Sequence, residues 1–306
     1  MFASGDTITA SAPGSIMITG EHAVVYGHRA IVAAIDQRIT VELSVRRDGK
    51  LRIFSEIAAD YVSDLDNVVP SHDHSFVLAA VMKHRDALDT GIDLSITSEI
   101  DPTLGLGSSA AVTIACLGVL SALTGSSGDR IHADAVEIVR SIQKRGSGAD
   151  LAASLHGGMI AYKAPPGTEI TALPIPPALG LKYVGYKTPT SEVLRQVAER
   201  MATDKEKFEN LYSEMGAAAE AAIVAASHMD WKAFGTNLNS YQTLMEKLGV
   251  SDNNLQAIVE DARTDARVLA AKISGSGLGD CVLAFGAVPS GFARANVASE
   301  GLVIDV

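Results

Sequence analysis

The sequence predicts an α+β fold in two parts, on three observations. Segments with the two-residue alternation of half-buried strands and segments of helical period both occur, without a strict βαβ rhythm. The start of the chain is rich in β-branched residues, whereas four helical patterns follow one another between 191 and 266. A Pro-rich stretch over 164–179 separates these regions and puts the parts at residues 1–165 and 166–306.

Taken in order, residues 7–12 alternate, 31–45 read as β, and an Asp48-Gly49 turn leads to a strand over 51–54. Residues 76–88 have helical period and 94–100 alternate again. A long helix over 108–123 is entered through Gly105-Leu106-Gly107-Ser108-Ser109, and 132–144 forms a helix with Ala133, Val136, Ile138, Val139 and Ile142 on its apolar face. Residues 151–162 give a short helix, a Gly157-Gly158 turn and a strand. Beyond the boundary come a strand over 181–186, helices over 191–201, 206–227, 231–248 and 254–266, and strands over 269–273 and 281–285.

With 306 residues, 47% hydrophobic and 20% charged, the chain can bury two cores, which excludes disorder, collagen and coiled coil. The formal net charge of −11 argues against nucleic acid as a partner but leaves room for a local basic pocket holding a small anion. Cys116 and Cys281 sit in apolar stretches with no metal-ligand spacing and are expected as reduced core thiols. The start lacks a basic and apolar leader pattern, and the apolar run over 110–123 is short for a membrane span and carries Thr113 and Ser121. A cytoplasmic protein with no membrane partner is the expectation.

Three glycine clusters stand out. APGS (12–15) ends the first strand and precedes GEHAVVYG (20–27); alone, Pro-Gly is a turn and Glu-His a surface pair. PTLGLGSSAA (102–111) lies between a strand and an apolar helix. There, glycines let a phosphate approach free backbone N–H groups, and the helix dipole favours negative charge. A simple Ser N-cap needs one serine and no glycines. Gly105-x-Gly107-x-x-Ala110 also satisfies the relaxed dinucleotide fingerprint, but the acidic residues that follow, Asp129 and Asp134, fall in a loop and a helix start rather than at a strand end. No Walker A pattern is present. KISGSGLGD (272–280) has more glycines than a hairpin needs, as in a loop pressed on a ligand or another loop.

In that order, the three clusters resemble the motifs of the GHMP kinase superfamily, which includes galactokinases and homoserine, mevalonate and phosphomevalonate kinases. Each motif alone is weak; the ordered triple is specific and spans nearly the whole chain. The resemblance implies a ribosomal protein S5 domain 2-like N-terminal domain and a ferredoxin-like C-terminal domain. It also implies ATP and Mg²⁺ as cofactors, with nucleotide on Gly105, Leu106, Gly107, Ser108, Ser109 and Ala110 and with Gly275 and Gly277 closing over it. GEHAVVYG and LGVS (248–251) are similar to the mevalonate branch, QKRGSGAD (143–150) is similar to the segment holding its catalytic aspartate, and the whole chain is most similar to short bacterial phosphomevalonate kinases.

Two positions depart from that branch. Its APGK lysine is Ser15 here, and its Mg²⁺-binding glutamate falls at Val139, the nearest acids being Glu137 and Asp134. A phosphate-monoester acceptor explains part of this, because a second pKa of about 6 leaves the attacking oxygen largely ionised. Such a site needs cations instead. The expected roles are therefore Asp150, Ser15 and Lys187 in catalysis, Ser109 and Glu137 at the metal, and Glu21, His22, Lys144, Arg145, Gly148 and Ser191 at the acceptor. The activity expected is phosphorylation of 5-phosphomevalonate. The alternative is mevalonate 5-kinase; a non-catalytic nucleotide-binding homologue and a nicotinamide-dependent oxidoreductase are more distant. A small anionic molecule is the expected partner, with a homodimer left open.

Overall fold

The computed structural model describes residues 5–101, 105–144 and 146–306. Its first part is a forked sheet. Strands β1 (Thr7–Thr19) and β2 (Arg29–Val45) pair antiparallel along most of their length. The later half of β2 pairs with β5 (Ile92–Ser98), which leads to β3 (Lys50–Ser55) and β4 (Tyr61–Asp64). The earlier half pairs with β6 (Met159–Lys163), and β6 with β7 (Glu169–Leu173).

The strand expected to end at Ala12 instead continues to Thr19, with a register shift between Pro13 and Gly14. Proline is tolerated there because a bulge needs no ladder donor from it. Burial along β1 changes at the same point, from alternation to a continuous buried run over 12–16, which marks a strand covered on both faces.

Of helices α1 (Ser75–His84), α2 (Ser108–Thr124), α3 (Ile131–Gln143) and α4 (Ala149–His156), α2 and α4 lie on this sheet, and α1 and α3 pack beside α2. α2 is buried almost all round from Ala110 to Ser121, as an apolar helix without a polar face must be. The strand after α2 is β6, which runs antiparallel to β2, so the parallel unit that a dinucleotide fingerprint opens is lacking here.

The second part is the antiparallel sheet β11-β8-β10-β9, from β8 (Ala178–Tyr183), β9 (Ala270–Ser274), β10 (Cys281–Gly286) and β11 (Ala293–Ala295). It packs with α5 (Thr190–Thr203), α6 (Lys205–Ser227), α7 (Trp231–Leu248) and α8 (Asn253–Arg263). On α7, Phe234, Leu238, Tyr241, Met245 and Leu248 form one buried stripe. Asp230 starts that helix by accepting from Ala233 N–H at 3.0 Å, and left-handed Gly249 ends it.

Two short strands without a clear sequence pattern tie the parts together. β7 extends the N-terminal sheet past residue 165, and β12 (Val303–Asp305) returns to pair with β1. Ser274 Oγ also donates to Met17 O at 2.8 Å, and Arg29 pairs with Glu220. Cys116 and Cys281 are buried, which pushes both thiols up to about 12. No described helix is long and apolar enough to cross a membrane.

Candidate active site

The first two glycine clusters meet back to back. Ser15 N–H donates to Leu106 O at 3.0 Å, and a Cβ on Gly14 would stand 2.5 Å from that oxygen. Gly107, at φ 71, enters α2 with its open face against Ser15 Oγ. No side chain among the described residues caps α2. The N–H groups of its first turn, at Ser108, Ser109 and Ala110, therefore face outward at the positive end of the helix dipole, which suits a phosphate.

Asp150 stands in the first turn of α4, where the preceding loop is pinned by Tyr162 Oη donating to Ser147 O at 2.7 Å. Gly148 is the left-handed residue before the helix, and a side chain there would strike Tyr162 and Val136. Asp150 is not a helix cap: its Oδ1 accepts from Ser15 Oγ at 2.9 Å. Burial raises its carboxyl above the usual range, with Asp280 and Glu21 adding to the rise and the Ser15 hydrogen bond and the Lys187 charge opposing it. A carboxylate of raised pKa beside the phosphate cradle is suited to accept a proton from a hydroxyl.

Lys187 and Asp280 face the same cradle. Lys187 Nζ lies 3.2 Å from Asp280 Oδ1, and a Cβ on Gly105 would collide with that carboxylate and stand 3.1 Å from the ammonium. Asp280 was not among the sequence candidates, although an acid in a glycine cluster was a usable signal.

Behind these groups is a buried polar cluster. Glu21 and Lys272 pair at 2.5 Å, His22 Nε2 meets Ser276 O at 2.8 Å, and Tyr241 Oη donates to Glu21 O at 2.6 Å. Burial lowers both the Lys272 ammonium and the His22 imidazole. Several buried atoms nearby lack a partner among the described residues: Thr19 Oγ1, Glu21 Oε2, His22 Nδ1, Ser276 Oγ, Ser251 Oγ and Arg200 Nη2. Such a set fits a polar ligand, since buried donors and acceptors are otherwise satisfied. Arg200 reaches this region by donating from Nη1 to Gly249 O at 2.9 Å; nothing in its helical sequence context distinguished it. An open cleft of about 580 Å³ beside Arg29, Lys163 and Glu220 contains none of these groups.

Several expected residues stand elsewhere. Glu137 is 59% exposed and pairs with Lys83 of α1. The 146–148 loop is met by four residues of α3: His132, Val136, Val139 and Arg140. Glu137, expected at the metal, is engaged by Lys83 in this structure and is not gathered with the phosphate cradle. Lys144, expected at the acceptor, is a left-handed C-cap whose exposed Nζ donates to Ser141 O of its own helix at 3.0 Å. Ser191 is exposed on the first turn of α5, and Arg145 lies outside the described residues. Gly277 packs against the Val250 backbone, with Leu278 N–H donating to Val250 O at 2.8 Å, so its lack of a side chain serves loop packing.

Among the described residues no group of three or more His, Cys, Asp or Glu is gathered for a metal. That fits Mg²⁺, which takes one or two carboxylates together with substrate phosphates and water. Ser109, on the first turn of α2, fits such a site.

Two family models match, GHMP kinases N terminal domain over residues 75–158 and GHMP kinases C terminal over residues 219–300. The mevalonate kinase of Pyrococcus furiosus is 34% identical over 300 residues, covering 90% of this chain and 88% of its own. L. major mevalonate kinase, solved in complex with R-mevalonate, superposes with a TM-score of 0.75 at 23% identity over 95% of this chain and 96% of that one. Streptococcus pneumoniae phosphomevalonate kinase, solved with phosphomevalonate and AMPPNP, gives 0.76 at 18% identity over 91% and 92%. At those identities the solved structures share the fold.

Proposed function

This chain belongs to the GHMP kinase family, and on that premise we propose that it transfers the γ-phosphoryl group of ATP to the 5-hydroxyl of mevalonate. The observation that carries the choice of acceptor is sequence likeness to mevalonate kinases at 34% identity over 90% of the chain. This replaces 5-phosphomevalonate, the acceptor expected from Ser15 and the missing glutamate. Of the cations expected to hold its phosphate, Lys144 turns back on its own helix, and likeness to a phosphomevalonate kinase is at 18% identity.

In this reading the triphosphate lies on Gly105, Leu106, Gly107 and the first turn of α2. Ser109 would hold Mg²⁺, which neutralises phosphate charge when bound. The acceptor meets the cluster of Glu21, His22, Ser276 and Arg200. Its 5-hydroxyl oxygen attacks the γ-phosphorus, the bond from that phosphorus to the β–γ bridging oxygen breaks, and ADP leaves. Asp150 takes the hydroxyl proton; Ser15, donating to Oδ1, leaves Oδ2 to receive it. Positioning and electrostatics supply most of the acceleration.

ADP release, measured with each acceptor in the presence of Mg-ATP, tests the choice. Turnover with mevalonate is expected. Turnover with 5-phosphomevalonate and none with mevalonate overturns it, and binding of Mg-ATP without turnover on either leaves a non-catalytic homologue.

A further inference from the structure

We propose that Lys187, held by Asp280, supplies the cation that β1 lacks at Ser15 and delivers it from the C-terminal half of the molecule to the transferring phosphoryl group. Lys187 is then a catalytic residue and Asp280 its positioning residue. The inference rests on the phosphoryl-transfer reading above but not on the choice of acceptor.

The need for a cation follows from position 15. Ser15 Oγ donates to Asp150, and a neutral hydroxyl cannot balance the charge that gathers on the γ-phosphoryl oxygens. Asp280 supplies the second line of argument. It sits among Gly275, Gly277 and Gly279 with φ 68, a conformation that glycine adopts without cost and an aspartate only occasionally. Strain of this kind persists where the side chain has a task. The side chain is 9% exposed and lies between two loops, since a Cβ on Gly105 would strike Oδ1 and one on Gly275 would stand 3.0 Å from Oδ2. A lone carboxylate there would repel a triphosphate. It does not stand alone, because Lys187 Nζ is 3.2 Å away and faces the same Gly105.

The lysine is also fixed through its backbone. Asp280 N–H donates to Tyr186 O at 3.1 Å, Val184 N–H donates to Asp280 O at 3.0 Å, and Thr188 Oγ1 donates to Leu278 O at 2.6 Å. Gly279 lets the strands approach so closely that a Cβ would lie 3.0 Å from Lys187 Cα. The third glycine cluster thus grips the 184–188 segment, and the ammonium is positioned before any ligand arrives, which limits the ordering cost on binding. An ion pair serving stability alone has no reason to stand at the phosphate loop on a strained residue.

The test uses the full chain with Lys187→Ala, Lys187→Arg, Asp280→Asn and Asp280→Gly. Lys187→Ala should lower kcat by about 10²-fold or more while calorimetric affinity for Mg-AMPPNP changes less than about threefold. Lys187→Arg should recover part of the loss. Asp280→Gly, which removes the strain, should melt no lower than wild type yet lose about tenfold in kcat. Because ADP with aluminium fluoride mimics the transferring phosphoryl group, Lys187→Ala should also weaken its binding by about tenfold or more. That readout holds whichever acceptor is used, and in its absence. Wild-type kcat in Lys187→Ala together with undiminished ADP-aluminium fluoride binding overturns the proposal. So does an Asp280→Asn variant that regains full kcat at higher Mg²⁺, which would make Asp280 a metal ligand. Failure of the wild type to use mevalonate instead strikes the proposed acceptor.

Discussion

Two lysine–carboxylate pairs lie within the same cluster and differ mainly in their contact with water. Lys272 and Glu21 are 1% and 2% exposed, join β9 to the turn after β1, and have the Tyr241 ring 5.6 Å from the ammonium. Lys187 is 40% exposed beside a nearly buried Asp280. A fully buried ammonium cannot reach a ligand without a large desolvation cost, whereas a half-solvated one can meet a phosphate while it stays paired with its carboxylate. The same chemistry therefore fixes the seam of the molecule in one place and remains available to a ligand in the other.

The most severe way to break this comparison is Lys272→Ala. It leaves Glu21 charged, buried and unpaired, so unfolding free energy should fall by about 3–5 kcal/mol, read from urea denaturation. A Glu21→Gln/Lys272→Met double variant should regain much of the loss. Equal stability of the single variant and wild type would mean that the pair does not hold the seam. Next in size is Asp150→Asn. It should lower kcat by about 10²-fold, some 2.7 kcal/mol of barrier, with little change in Mg-ATP affinity; wild-type turnover would remove Asp150 from proton transfer.

The same variant carries a pH signature of smaller size. Burial raises the Asp150 carboxyl in the folded protein. A raised folded pKa gives stability that is complete below the unfolded carboxylate range and is lost as pH rises through the folded value. At neutral pH wild type should therefore be less stable than Asp150→Asn, and melting curves of the two should converge as the solution is acidified into the ordinary carboxylate range. A constant gap over that range would mean that burial does not strain the carboxylate. Smaller still, Lys187→Ala should cost less stability than Lys272→Ala, because the ammonium it removes is 40% exposed and water can reach the carboxylate it leaves.

Legibility of the sequence followed the same line between local pattern and three-dimensional convergence. The helix over 231–248 is identical in extent to α7, because an Asp cap, a regular apolar stripe and a terminal glycine are all local signals. Pro13-Gly14 reads locally as a turn yet is a bulge inside β1, since the decisive contact, with Leu106, comes from over ninety residues away. β7 and β12 are short and half exposed, and only their partners make them strands. Asp150, Ser15 and Lys187 could be named from motif and charge. Arg200 could not, because an arginine on an amphipathic helix looks like solvated surface until Gly249 is seen against it.

The smallest expected effect tests that limit on the opposite side of α3. Glu137→Gln should leave kcat and the Mg²⁺ dependence within about twofold of wild type, since its carboxylate is exposed and engaged by Lys83 in a pair that contributes at most about 1 kcal/mol to stability. Val139→Glu is the sharper companion. Its side chain would start from the face that meets Gly146 and should change the Mg²⁺ concentration needed for half-maximal rate, in either direction, if that face borders the triphosphate. An altered Mg²⁺ dependence in Glu137→Gln with none in Val139→Glu would mean that the turn of α3 places the wrong face toward the site.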